Sequence, residues 1–134
     1  MEFEQLIKQI EDGTLPRKEF NHIAHLRLAL YYLFTEKDFY KALIKIRCRI
    51  INHNFISEKQ TLISSVYSET ITQFWVRELF KLYNQNKHLS HMELERFLLA
   101  SDLVKFDFIY GFYTRKLLES DFSKAVYVEP NVKD

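Results

Sequence analysis

Turn-forming residues are what this chain lacks. With two glycines and two prolines in 134 residues, it has little of the punctuation that strands and hairpins need at each reversal. Apolar residues recur instead at helical period. A first helix is predicted over about 2–11, with Phe3, Leu6, Ile7 and Ile10 on one side. It stops at "DGTLP", where Gly13 suits a C-terminal cap and Pro16 opens the next element. A second helix is expected over about 17–34. After a turn at "TEKD", a third runs from Asp38 to about His53, with Phe39, Ala42, Leu43, Ile46 and Ile50 inward. "SEKQ" at 57–60 reads as a capping box launching the longest helix, to about Asn84. "SHME" at 90–93 reads as a second box, for a fifth helix ending near Ala100. A further helix from about Asp102, perturbed at Gly111, precedes a helical turn after Ser120 and an extended tail around Pro130. The expectation is all-α: one domain over 1–134, a bundle of five to six helices with 17–34 and 57–84 central.

Composition narrows the function classes. Hydrophobic residues make up 47% and aromatics 16%, too many for a disordered chain. A net charge of +1 supplies no field suited to nucleic acid or an anionic membrane, so neither is expected as a partner. The longest apolar run, "LALYYLF" at 28–34, is far short of a membrane span. The first residues, "MEFEQLIKQIEDG", are acidic and amphipathic, unlike a targeting peptide. The one cysteine, Cys48, leaves no internal disulfide and no CxxC pair. A cytosolic location is expected.

The stretch "FNHIAHL" at 20–26 places His22 and His25 in what reads as buried helix. On a helical wheel Ala29, Leu33 and Leu26 fall within about 40° of His22, and His25 lies about 60° away beside Tyr32. Within "VYSETITQFW", Glu69 has Leu62, Val66, Val76 and Phe80 within about 60° on its wheel, and Thr72 and Gln73 share that face. A lone buried carboxylate requires a cation, a donor or a raised pKa. His22, His25 and Glu69 would satisfy one another by converging between the second and fourth helices.

Three readings of that cluster stay open. It is a polar network completed by Thr72, Gln73 or Tyr32; a mononuclear site for one divalent metal, zinc or iron fitting the nitrogen and oxygen set best; or a metal-free acid/base pair. "EFNH" at 19–22 is the only Glu-x-x-His match, so a dinuclear carboxylate centre is not expected. Elsewhere, His88 and His91 read as solvated, His53 as near a helix end, and Cys48 as a packed thiol. Ser68 lacks the strained elbow of a nucleophile. The aromatic groups are core, or the walls of an apolar pocket.

The residues now quoted carry a resemblance. "LPRKEFNHIAHL" at 15–26, "YSETITQFW" at 67–75 and "VYVEPN" at 126–131 resemble the motifs LPxxxFxHxxHL, YHETIT and VxPD of a family of small helical bacterial proteins with no established activity. The resemblance implies a helical fold and a His/His/Glu cluster, without naming a reaction. The family carries histidine where this chain has Ser68. Two function classes follow: an enzyme or ligand-binding protein using the cluster in a pocket, or a binding or regulatory module in which the cluster only specifies packing. A cavity beside His22, His25 and Glu69 would favour the first. The sequence leaves the small-molecule or protein partner and any oligomer unspecified.

Overall fold

In the computed structural model, residues 2–58 and 67–132 are described, with backbone alone for 56–58. The first helix, α1 (Phe3–Asp12), buries Leu6, Ile7 and Ile10. Gly13 ends it at φ 74°, a left-handed conformation that glycine adopts without strain. Pro16 then leads a 3-10 turn, Arg17–Glu19, and the helix carrying the histidines begins later than the periodicity implies. α2 is His22–Glu36, with the Asn21 side chain accepting the Ala24 amide at 3.0 Å. A polar side chain that satisfies an orphan amide outweighs a continuing apolar pattern.

The third helix, α3 (Phe39–Glu58), reaches past the expected end at His53. Ser57 and Glu58 therefore close α3 rather than open a new helix, and the rest of "SEKQ" lies outside the described residues. α4 (Glu69–Gln85) starts instead at a cap on Ser68, whose Oγ accepts the Ile71 amide. The box at Ser90 and Glu93 forms as read and opens α5 (His91–Leu99).

Beyond α5 the expected α-helix is replaced by two 3-10 segments, Asp102–Val104 and Phe106–Gly111. Leu103, Phe106, Ile109 and Phe112 repeat every third residue, which is the 3-10 period and not the α period. Short helices α6 (Arg115–Leu118) and α7 (Asp121–Ala125) follow, the latter capped by Ser120. The extended tail is stapled to α4: Thr70 Oγ1 donates to the Val126 carbonyl at 2.9 Å and accepts the Val128 amide at 3.0 Å.

No strand occurs among the described residues, and the architecture is all-α. α2 packs against α1, α3, α4 and α5. Leu26, Leu30 and Leu33 are buried on one side of it and Leu28 on the other, while Ile23 is exposed between them, a wide apolar face expected of a central helix. No described helix is long and apolar enough to cross a membrane.

Candidate functional site

Asn21 sets the site by deciding where α2 begins. It puts His22 and His25 in the first turns of the helix, beside Trp75 of α4 and the 3-10 segment. The His22 ring lies 4.4 Å from the Trp75 ring and edge-on to Phe106. Its Nε2 is 2.8 Å from the Leu103 carbonyl. His25 stacks on Phe20 with ring centroids 4.0 Å apart, and its Nδ1 is 2.6 Å from the Asn21 carbonyl.

A carbonyl oxygen only accepts, so each contacting nitrogen must carry the proton. Burial also lowers both pKa values, against the opposing pull of the carbonyl hydrogen bonds. His25 falls to about 4, and His22 shifts the same way. Both rings are therefore neutral at pH 7. The lone pairs are then His22 Nδ1 and His25 Nε2. Neither nitrogen has a partner among the described residues.

Both rings line a cavity of about 310 Å³ between α2, α3 and α4. Its walls include Phe20, Ile46, Ile50, Trp75, Val76 and Phe106, with Asn54, Tyr67, Ser68 and Thr72 as polar points. The indole Nε1 of Trp75 is buried without a hydrogen-bond partner. Ser68, at the position where the resemblance has histidine, both caps α4 and borders this cavity.

Glu69 departs from the expected convergence. Its carboxylate is gripped by Arg47 of α3, through Nε at 2.8 Å and Nη2 at 2.6 Å. Tyr67 donates to it at 2.7 Å and Gln73 at 2.6 Å. Burial pushes its pKa up, but the hydrogen bonds from Arg47, Gln73 and Tyr67 outweigh that and hold it below the usual carboxylate range. A bidentate guanidinium is a far stronger partner for a carboxylate than a neutral imidazole. Among the described residues no group of three His, Cys, Asp or Glu is disposed to hold a metal ion. The expected second shell divides accordingly. Thr72 borders the cavity, Gln73 serves Glu69, and Tyr32 is elsewhere, donating to Glu11 at 2.8 Å and accepting from Arg49.

Three other expectations are corrected. His53 is buried mid-helix, with Nε2 2.8 Å from the Leu15 carbonyl, because α3 is longer than its pattern suggests. His91 is not solvated: it sits against Phe3 and Phe34 with its Nε2 buried and unpartnered. Cys48 is exposed rather than packed, since it lies about 200° around the helix from both Ile46 and Ile50. His88 is exposed, as expected. The residues that sequence reasoning missed are Arg47, Tyr67 and Asn21. Only Asn21 had a legible signal, as a good N-cap residue immediately before an apolar helix.

Comparison with protein-family models, curated proteins and solved structures gives no match.

Proposed function

We propose that this chain binds a small organic molecule in the cavity between α2, α3 and α4. The observation that carries the reading is a pair of neutral imidazoles on one cavity wall, each tied by one nitrogen to a backbone carbonyl and left with the other as a lone pair. A network that only specified packing would close around both nitrogens. The cavity's size is at the small end of ligand sites, which run from about 300 Å³. Binding is favoured over acid/base catalysis by the basicity of the rings. With a pKa of about 4, His25 carries a second proton in only about one molecule in a thousand at pH 7, so it accepts hydrogen bonds rather than protons. The setting we propose is the cytosol, in keeping with a single cysteine.

Trp75 is the only tryptophan, so its emission reports the cavity without background. A fragment set screened by ligand-observed NMR and by Trp75 fluorescence should yield binders, and Ile50→Phe, which fills the cavity from α3, should abolish them. A screen in which nothing binds the parent in the millimolar range, or in which Ile50→Phe changes nothing, rejects this site. Zinc retained stoichiometrically by the parent and lost in His22→Gln would replace the reading with a two-histidine metal site.

A further inference from the structure

The cavity's walls say more about a ligand than its size does. Among the described residues no Lys, Arg, Asp or Glu lines it. Both histidines are neutral, and the Arg47–Glu69 pair, joined to the wall through Tyr67, already neutralises itself. A formal charge placed here would be desolvated with no counter-ion, which is strongly unfavourable. Carboxylates, phosphates and amines are thereby disfavoured as the buried part of a ligand.

Shape adds a second restriction. Phe20, Trp75 and Phe106 present aromatic rings to the space, and His22 and His25 are themselves held against such rings. Rings of this kind favour a flat partner that offers its face or its edge. The volume of about 310 Å³ corresponds to about ten liquid waters, the scale of a one- or two-ring molecule.

Hydrogen-bond polarity supplies the third. The histidine lone pairs accept only, so the ligand must donate. The Asn54 side chain on the same wall carries an amide NH₂ that donates, so the ligand should also accept. Desolvated polar groups of both kinds are costly to leave unmade.

We infer that the cavity takes an uncharged, flat nitrogen heterocycle whose edge carries an N–H donor beside a carbonyl acceptor, the chemistry of a lactam ring. The N–H meets His25 Nε2 or His22 Nδ1, and the carbonyl approaches the Asn54 amide. This rests on the cavity being the binding site, and its test is arranged to separate the two claims.

Four two-ring probes serve: quinolin-2(1H)-one, its N-methyl derivative, quinoline-2-carboxylate and naphthalene. Trp75 gives the sole indole N–H resonance of the ¹⁵N-labelled protein. Quinolin-2(1H)-one should bind and shift that resonance, since Trp75 lines the cavity. N-methylation should weaken binding by about tenfold, the worth of one hydrogen bond lost in a desolvated site. The carboxylate should not bind. His25→Phe keeps a ring against Phe20 but removes the lone pair, so it should weaken the lactam and spare naphthalene. Equal affinity for lactam, N-methyl lactam and naphthalene would overturn the inference and leave the cavity standing as an apolar site. Preference for the carboxylate would overturn it through charge. Silence from all four probes also rejects it, and the broader fragment screen then decides the fate of the cavity itself. The N-methyl comparison needs no variant, so it holds even if His25→Phe fails to fold.

Discussion

A histidine that donates one ring proton to a backbone carbonyl has its tautomer decided by the main chain. At His25 this coincides with close burial against Phe20, and the pKa is lowered to about 4. The unfolded chain, with a value near 6.5, takes up its proton first as the pH falls, while the native state resists until about 4. The contribution is therefore complete above pH 6.5 and drains away between 6.5 and 4, with stability falling by up to about 3 kcal/mol across that window. His22 and His91, also lowered by burial, act in the same direction. Chemical denaturation from pH 7.5 to 4 should show the parent losing about 3 kcal/mol more than His25→Phe. Identical slopes for the two would show that His25 ionises in the native state much as it does unfolded. Glu69 illustrates the complementary case, a buried carboxylate kept charged because Arg47 reaches it with two nitrogens.

At the scale of elements, helix ends matter more than helix interiors. Three N-caps decide where the pieces of the site fall: Asn21 for α2, Ser68 for α4 and Ser90 for α5. Each satisfies an amide that has no partner within its helix. Ser68→Ala should cost about 1 kcal/mol, as should Ser90→Ala. The two differ in consequence. Ser68 also borders the cavity, so its loss should disturb the Trp75 resonance and ligand binding, whereas Ser90→Ala should lower stability and leave both unchanged. Equal effects on the Trp75 resonance would mean that the cap and the cavity are not coupled as described. The 3-10 segment makes the same point about ends: Lys105 is extended, which breaks the run between Leu103 and Phe106 and leaves the Leu103 carbonyl available to His22.

For the whole molecule, closure depends on the tail returning to α4. Thr70 is fully buried and holds both Val126 and Val128, while Tyr113 donates to the Val128 carbonyl from the other side. Thr70→Val keeps the volume but strands a carbonyl and an amide. It should destabilise the protein by about 1–3 kcal/mol. Hydrogen exchange should accelerate at Val128 and at Asn131 and Val132, whose amides bond to the Phe112 carbonyl, before it does in α2. Uniform acceleration across α2 and the tail would instead show the tail to be part of one cooperative unit with the core.

What local sequence determined was whatever depends on near neighbours along the chain. The helical class, the buried face of α1, the Gly13 stop and the Ser90 box were all legible, because period, left-handed φ and capping act within a few residues. The inward faces of α2 and α4 were legible too. Tertiary structure alone decided which groups those faces meet. A wheel gives the direction of Glu69 but not its neighbour, and Arg47 reached it from a helix whose length the sequence understated. Likewise the period of three from Leu103 to Phe112 is visible along the chain, yet only packing selects a 3-10 geometry that turns the Leu103 carbonyl toward His22. Histidines that read as partners for a carboxylate were thereby satisfied on one side by backbone, and their other nitrogens were left to the cavity.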